Sequence, residues 1–504
     1  MSLAPSDKRE LDERASTGIE GLDDVLGGGL PCNRVYLVKG APGVGKTTLS
    51  LQFLMAGARA GESVLYITLS ETEAEIRQVA FSHGWSLAGI NLYELSSAEQ
   101  TMRLNDENTL YAAEDVDLKE TVRVLLDQVD ELKPTRVVFD SLSEIRLLAQ
   151  TPVRYRRQLL ALKQHFAGRN CTVLLLDDHA GTSNEQQVES LVHGVITLEQ
   201  LAMQYGADRR RLRVAKLRGS PFRSGYHDFT VRQGGLKVFP RLIASEHRSA
   251  LRAEPISSDI AQLDAMLHGG IDRSTCTLLI GPAGIGKSAL ATQFAMAAAK
   301  RGEHATLFLF EERIGTWLKR GEQLGMPLGE AIRAGRIRVH QIDPAELAPD
   351  EFAHLVRDAV ERDGAKVVVV DSMTGYFTAM PEGRFLSLQM HELLGYLSER
   401  GVASVLTMAQ AGMVGANMTS PVDLSYLADT IILFRYFESA GAVKKALSVL
   451  KKRSGPHEDA IREIELGPGG LAVGRALDNL QGILTGTPRP ISATGGSGSA
   501  DYDV

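Results

Sequence analysis

The sequence is poor in cysteine and in long apolar runs, and both shortages exclude classes of protein. Its 504 residues include 3 cysteines, at positions 32, 171 and 276, which are too few and too far apart for a disulfide framework or a zinc cluster. No run approaches the ~20 apolar residues that span a bilayer. Residues 1–16 are charged and do not resemble a signal peptide. With 44% apolar and 23% charged residues, the composition predicts a globular cytoplasmic protein.

The chain also lacks an excess of basic residues. Its net charge is −7, which argues against a dedicated nucleic-acid binder, because phosphate backbones attract basic surfaces. The dense basic run is residues 209–213, in which four arginines surround Leu212. That run fits a solvated strand edge at least as well as a contact with nucleic acid.

What the sequence does contain is one glycine-rich pattern, present twice. G-x-x-x-x-G-K-[ST] occurs at residues 40–47 and 281–288, with the lysines Lys46 and Lys287 241 positions apart. The same offset aligns Ile19, Leu22, Asp23 and Leu26 with Ile260, Leu263, Asp264 and Leu267. This repeat indicates a duplicated domain. We therefore expect domains at residues 1–247 and 248–486, followed by a disordered Gly/Ser-rich tail at 487–504.

Within each half, apolar runs alternate with helical patterns. The runs at 64–67, 137–139, 173–176 and 367–370 are typical of strands buried on both faces, and helical patterns at 121–132 and 352–360 separate such runs. This alternation predicts an α/β fold in which each half is a mostly parallel sheet with helices on both faces.

The two glycine-rich loops predict nucleotide sites. Their glycines let the backbone wrap the phosphates and present N–H donors at the start of a helix. Lys46 and Lys287 are expected to reach the β- and γ-phosphates of ATP, and Thr47 and Ser288 to ligate Mg²⁺. The predicted nucleotide-binding residues of the loops are Gly40, Ala41, Pro42, Gly43, Val44, Gly45, Lys46, Thr47 and Thr48, and Gly281, Pro282, Ala283, Gly284, Ile285, Gly286, Lys287, Ser288 and Ala289.

An aspartate ends one apolar run in each half. Asp140 and Asp371 both follow a β-type run and precede a serine. An acid at the carboxyl end of a strand beside a phosphate loop fits the magnesium site of such enzymes. The alternative is an aspartate that only caps the following turn.

Glutamates end a second run in each half, and here the halves differ. Glu71 follows the run in the first half, and Glu311 and Glu312 follow it in the second, with Ser70 at the position equivalent to Glu311. A glutamate in this place can orient a water or a hydroxyl for attack on the γ-phosphate. The alternative is a carboxylate favoured at a helix start by the helix dipole.

Together with two late basic triplets, at 216–218 and 451–453, these motifs resemble the KaiC family. The resemblance includes the opening residues 17–23 and 27–30 and extends to about residue 489. It implies two tandem RecA-like P-loop NTPase domains assembled as a homo-hexamer. It also implies an ATPase with autokinase and autophosphatase activity in its second domain.

The resemblance also assigns roles to single residues. Lys216, Arg218, Lys451 and Arg453 would reach the nucleotide of a neighbouring subunit, where cations neutralise the charge of the transferred phosphoryl group. Ser82 and His457 match family contacts to nucleotide. Glu311 matches the acid that activates the accepting hydroxyl. The expected magnesium ligands are Thr47 and Asp140 in the first half and Ser288, Glu311 and Asp371 in the second.

The phosphorylated segment of the family matches residues 424–432. Ser425 aligns with the phosphorylated serine, and Tyr426 replaces the adjacent threonine. A tyrosine hydroxyl lies further from its Cα, so transfer to Tyr426 would need a different geometry. The replacement leaves open whether the protein keeps a two-site phosphorylation cycle and a rhythm.

Three functions are compatible with these motifs. The leading one is a KaiC-like, self-phosphorylating ATPase ring that acts as a clock or stress-signalling hub, with a KaiB-like or other signalling protein as partner. The tail does not resemble the segment that binds a KaiA-like activator, so that partner is not expected. The alternatives are a nucleotide-gated scaffold with little catalysis and a RecA-type DNA-handling ATPase, which the acidic balance disfavours.

Overall fold

The computed structural model describes residues 13–95, 113–178, 185–203, 205–247, 254–378, 383–412, 424–485 and 488–490. The chain divides into two units, Met1–Arg241 and Leu242–Val504, shortly before the boundary expected at residue 247. The 3₁₀ turn Ala244–His247 belongs to the second unit, where the Ala244 N–H donates to the Glu392 carboxylate at 2.9 Å.

The first unit contains eleven strands and seven α-helices among the described residues. The strands are β1 Arg14–Ala15, β2 Leu30–Pro31, β3 Val35–Gly40, β4 Val64–Thr68, β5 Ile90–Glu94, β6 Arg136–Asp140, β7 Thr172–Asp178, β8 Gly194–Leu201, β9 Arg209–Leu217, β10 His227–Arg232 and β11 Gly235–Phe239. The helices are α1 Leu22–Val25, α2 Lys46–Arg59, α3 Glu73–Ser82, α4 Ala113–Leu132, α5 Leu142–Ala149, α6 Pro152–Phe166 and α7 Glu185–Leu191.

Nine of these strands form one sheet in the order β11-β10-β9-β8-β3-β7-β6-β4-β5. The strands from β5 to β8 in this order pair in parallel, and β8 to β11 pair antiparallel. Strands β4 and β6 are buried along their whole length. Their side chains enter two hydrophobic clusters, one on each face of the sheet, which is why these runs are continuously apolar.

The second unit repeats this arrangement. Its strands are β12 Pro255–Ile256, β13 Ile271–Asp272, β14 Cys276–Gly281, β15 His304–Leu309, β16 Ile337–Gln341, β17 Ala365–Asp371, β18 Ala403–Ala409, β19 Thr430–Ser439, β20 Ala442–Lys452, β21 Arg462–Gly467, β22 Gly470–Ala476, β23 Leu480–Gln481 and β24 Arg489–Pro490. Its helices are α8 Ala261–Met266, α9 Lys287–Lys300, α10 Ile314–Gln323, α11 Leu328–Arg333, α12 Pro349–Glu361, α13 Met373–Thr378 and α14 Gly383–Glu399.

The sheet of the second unit has the order β16-β15-β17-β18-β14-β19-β20-β21-β22. Strands β16 to β19 in this order are parallel, and β19 to β22 are antiparallel. Each of the nine strands of this sheet occupies the position of one strand in the sheet of the first unit. The prediction of a duplicated α/β fold with mostly parallel sheets is therefore confirmed.

Two further expectations concern the ends of the fold. The tail expected to be disordered lies outside the described residues except at 488–490, where β24 pairs antiparallel with β23. Among the described residues, no helix combines the length and the apolar composition needed to cross a membrane.

Candidate active site

Each phosphate loop connects a central strand to a helix. Two of its glycines are required by the geometry, each for a different reason. A Cβ on Gly40 would lie 2.6 Å from the Leu198 carbonyl oxygen, and one on Gly281 would lie 2.7 Å from that of Phe434. The adjacent strand therefore excludes a side chain at both positions. Gly45 and Gly286 have φ of 117° and 124° at the turn into the helix, a region that favours glycine.

The two loop lysines fold back onto their own loops. Lys46 Nζ donates to the carbonyl oxygens of Gly40 and Ala41 at 2.8 and 3.0 Å. Lys287 Nζ donates to those of Gly281 and Pro282 at 2.8 and 2.7 Å. Burial lowers the pKa of Lys287 to about 8, although Asp371 and Glu311 act in the opposite direction. Both ammonium groups thus lie at the loop where a phosphate would bind.

In the first unit the loop lysine, Lys46, forms an ion pair with an acid that is not among the predicted site residues. Asp178, the last residue of β7, places its Oδ1 2.8 Å from Lys46 Nζ. The sequence predictions missed this residue. The available signal was the apolar run at 173–176, which ends in two aspartates in the way that the run before Asp140 ends in one.

The predicted metal residues of the first unit lie together. Thr47 Oγ1 donates to Asp140 Oδ2 at 3.1 Å, and the Tyr66 hydroxyl donates to the same oxygen at 2.5 Å. Burial raises the pKa of Asp140, although both hydrogen bonds oppose this. Tyr66 is a second residue that the sequence predictions missed, since it lies inside an apolar run.

In the second unit the equivalent aspartate has another partner. Asp371 accepts a hydrogen bond from the Thr407 hydroxyl, and the next residue, Ser372, donates to Glu311 Oε1 at 2.9 Å. The peptide bonds Asp140–Ser141 and Asp371–Ser372 are both cis. The hydrogen bond from Ser372 holds the Glu311 carboxylate in the second unit.

The donors present suit magnesium. Thr47 and Asp140 in the first unit offer one hydroxyl and one carboxylate, and Ser288 and Asp371 are the equivalent pair. Among the described residues no group of three or more His, Cys, Asp or Glu side chains could hold a metal ion. A magnesium ion at a phosphate loop does not need one, because it takes most of its ligands from phosphate oxygens and water.

Two other predicted acids have a raised pKa, and burial is the main cause in both. Glu71 Oε2 is buried and has no hydrogen-bond partner among the described residues, and burial together with Asp140 raises the pKa of Glu71. Glu312 Oε2 lies 2.6 Å from Arg320 Nη1, and burial raises the pKa of Glu312 even beside that arginine. Glu312 is thus held by a cation, whereas Glu311 is held by a hydroxyl.

The basic triplet of the first unit contacts helix α7. Lys216 Nζ donates to the Glu189 carbonyl oxygen, and Arg218 Nη2 donates to that of Ser190 at 2.9 Å. Burial lowers the pKa of Lys216, and the neighbouring Arg218 adds to the effect.

The basic triplet of the second unit contacts the predicted phosphorylation segment. Lys451 Nζ donates to the carbonyl oxygens of Ser425 and Ala428 at 2.8 and 2.6 Å. Arg453 Nη2 donates to that of Tyr426 at 3.0 Å. Ser425 is exposed, and Tyr426 is 53% exposed. The structure therefore brings these four predicted residues into one cluster at the surface of the second unit.

The remaining two predicted nucleotide contacts lie elsewhere in their units. Ser82 ends helix α3, is exposed, and donates to the Val79 carbonyl oxygen at 2.7 Å. His457 lies between β20 and β21 with its Nε2 3.5 Å from Asp459 Oδ1. Neither residue contacts a phosphate loop through the hydrogen bonds of the described residues. Their predicted roles depend on a bound nucleotide or a second subunit.

The fold and the paired loops define a class, the tandem RecA-like P-loop ATPases. A family model described as "ATPase: KaiC" matches residues 15–243 and 256–478, which is most of the chain and both units. The chain belongs to the KaiC family.

Relatives named circadian clock oscillator protein KaiC match nearly the whole chain. The protein from Thermosynechococcus vestitus is 26% identical over 490 residues, covering 95% of this chain and 92% of the relative. That of Acaryochloris marina is 25% identical over 498 residues, covering 97% and 94%. The Synechococcus elongatus protein is 26% identical over 494 residues, covering 94% and 92%. These matches confirm the family resemblance, and family membership makes this chain an ATPase with tandem domains.

Proposed function

We propose that the protein is a hexameric ATPase that transfers the γ-phosphoryl group of ATP to its own Ser425. The observation that carries the proposal is the cluster of Lys451 and Arg453 on the carbonyl oxygens of Ser425 and Tyr426. An arrangement that brings these cations to a neighbouring subunit's triphosphate brings the Ser425 hydroxyl there as well.

In the proposed transfer, each residue of the second unit has a separate task. Lys287 and the loop N–H groups bind the β- and γ-phosphates. Glu311, held by Ser372 at 2.9 Å, accepts the Ser425 proton as the serine oxygen bonds to the γ-phosphorus and the bridging oxygen leaves with ADP. Lys451 and Arg453 stabilise the charge that spreads over the transferred group.

Magnesium is the metal that we propose for both units. Thr47 with Asp140, and Ser288 with Asp371, would hold it beside the phosphates, with Glu311 as a further oxygen donor in the second unit. The ion would neutralise charge on the β- and γ-phosphates.

For the first unit we propose ATP hydrolysis. Lys216 and Arg218 would act on the nucleotide of a neighbouring subunit, and an acid of the unit would orient the attacking water. Glu71 is the acid that the sequence offers. Asp178 is a second candidate, because it lies beside Lys46.

At the level of the cell we propose a signalling role. Phosphorylation of Ser425 and ATP turnover would alter the packing of the ring and thereby its affinity for a partner. A KaiB-like or other signalling protein is the proposed partner, since the relatives are named as circadian clock oscillator proteins. Tyr426 would be a second acceptor of phosphate only if its longer side chain reaches the same γ-phosphate.

Glu311→Gln tests the autokinase. After incubation with ATP and Mg²⁺, mass spectrometry should find phosphate on Ser425 of the unmodified protein. The variant should lose it at least ~100-fold, the usual contribution of a general base. The matched control is Glu322→Gln, which removes an exposed carboxylate from helix α10 and should leave phosphorylation unchanged. Unaltered phosphorylation of Glu311→Gln would refute its role, and an unphosphorylated parent protein would favour a nucleotide-gated scaffold.

A further inference from the structure

The serine after the site aspartate has a different acidic partner in each unit. In the second unit Ser372 donates to Glu311. In the first unit the equivalent Ser141 lies close enough to Asp178 to help lower the pKa of that carboxyl, and Ser143 donates to Asp178 Oδ2 at 3.0 Å. The first unit has Ser70 in place of Glu311, and that serine is exposed. An acid thus remains beside the equivalent serine, but it comes from a different strand.

Sheet register places this acid directly beside the phosphate loop. Gly40, the first glycine of the loop, pairs with Asp178 across β3 and β7. Gly281 pairs with Ala409 across the equivalent strands β14 and β18. The first unit therefore has a carboxylate where the second has a methyl group. The carboxylate is 2.8 Å from Lys46 Nζ, the atom expected to bind the γ-phosphate.

We propose that Asp178 is the catalytic carboxylate that orients the attacking water in the first unit, in place of the glutamate missing at Ser70. This inference rests on the proposed hydrolysis of ATP by that unit. When ATP binds, Lys46 exchanges Asp178 for phosphate oxygens, and the released carboxylate accepts a hydrogen bond from water. The water oxygen bonds to the γ-phosphorus, the bond to the bridging oxygen breaks, and ADP leaves. The water proton passes to Asp178 and then to the phosphate product.

Asp178 suits this task better than Glu71. Burial works against ionisation of Asp178, but the hydrogen bond and charge of Lys46 outweigh it and lower the pKa of Asp178. Glu71 has the opposite balance, since burial raises its pKa and its Oε2 has no hydrogen-bond partner among the described residues. Geometry is the first criterion for a base, and Asp178 is held beside Lys46 and by Ser143, whereas no hydrogen bond holds the buried Glu71 Oε2 among the described residues.

The test compares the two acids in a protein whose second loop is inactivated by Lys287→Ala. In this parent, Asp178→Asn should lower kcat for ATP hydrolysis roughly 100-fold and leave the Kd of a non-hydrolysable ATP analogue within about twofold. Glu71→Gln should lower kcat far less. Glu73→Gln, which removes an acid that pairs with Arg77 at the surface, is the matched control and should have the parent's kcat. Adding Ser70→Glu to Asp178→Asn returns a carboxylate to the first unit at the position equivalent to Glu311, and should restore part of kcat.

The possible results are distinguishable. If the Asp178→Asn variant keeps the kcat of the parent, the proposal is wrong. If it also binds the analogue more tightly, Asp178 only competes with the γ-phosphate for Lys46. A kcat loss confined to Glu71→Gln would also overturn it. If the Lys287→Ala parent neither binds nor hydrolyses ATP while the unmodified protein does, the proposed first-unit ATPase itself fails.

Discussion

At the scale of the residue, His227 illustrates how burial fixes a protonation state. Its ring is fully buried. Nδ1 accepts from the Arg241 N–H at 2.9 Å, and Nε2 faces the Arg223 carbonyl oxygen at 3.0 Å. The neutral ring with its proton on Nε2 satisfies both contacts. Burial lowers the pKa of His227 to about 4; the bond to the Arg223 carbonyl oxygen opposes this, and the charges of Arg223 and Arg241 add to it.

The first unit should therefore lose stability as the pH falls from about 6.5 to about 4. The unfolded chain protonates His227 below its ordinary pKa of about 6.5, whereas the folded unit does so only near 4. The free energy of unfolding should fall by up to about 3 kcal/mol over this window. Urea unfolding at several pH values, compared between the natural protein and His227→Gln, measures the contribution. An equal pH dependence in both proteins would contradict it.

At the scale of the element, Arg136 fixes the strand that ends in Asp140. This first residue of β6 is 3% exposed, and its guanidinium binds the Glu62 carboxylate through two hydrogen bonds of 2.7 and 2.6 Å. It also donates to the carbonyl oxygens of Ser16 and Phe53 at 2.7 and 2.9 Å. One side chain thus connects the site strand to the loop helix α2 and to the segment before α1.

Arg136→Met should destabilise the first unit by about 3 kcal/mol, because it leaves the partly exposed Glu62 carboxylate and two backbone carbonyl oxygens without their partner. Arg77→Gln is the matched control. It breaks the exposed ion pair with Glu73, whose loss should cost under about 1 kcal/mol. Chemical denaturation followed by circular dichroism measures both. A cost for Arg136→Met no larger than that for Arg77→Gln would show that the pair adds little.

For the whole molecule, the proposed function requires a second subunit to complete each site. A cation that stabilises the transferred phosphoryl group from a neighbouring chain can contribute 10³-fold or more, by order of magnitude. Lys216→Ala with Arg218→Ala should therefore abolish most ATP turnover of the first unit and leave nucleotide binding intact. Turnover and binding are measured in the Lys287→Ala parent, so that only the first unit contributes.

Mixing two inactive proteins tests the neighbour relation. The Lys46→Ala chains keep Lys216 and Arg218, and the Lys216→Ala, Arg218→Ala chains keep an intact first phosphate loop. Mixed rings therefore contain some complete sites and should recover part of the ATP turnover. Mixtures that stay inactive although native mass spectrometry finds mixed hexamers would place the cations in the site of their own chain. A strictly monomeric protein with full turnover would contradict the ring.

The duplication, the alternation of strands and helices, and the phosphate loops could all be predicted from the amino-acid sequence. Each of these is a local pattern, because backbone N–H groups wrap a phosphate only with glycines at fixed spacing, and strands buried on both faces must be continuously apolar. Those features could be predicted from contiguous residues, and the helices at 113–132 and 349–361 contain the predicted segments.

Which side chains contact one another depends on the folded sheet. Asp178 lies beside Lys46 because β7 pairs with β3, and Tyr66 reaches Asp140 because β4 pairs with β6. Strand order and register determine such contacts, and an apolar run has the same pattern whichever neighbour it pairs with. The folded sheet brings both Asp178 and Glu71 into the surroundings of Lys46. The sequence alone therefore offered Glu71 as the acid of the first unit, and the strand pairing added Asp178.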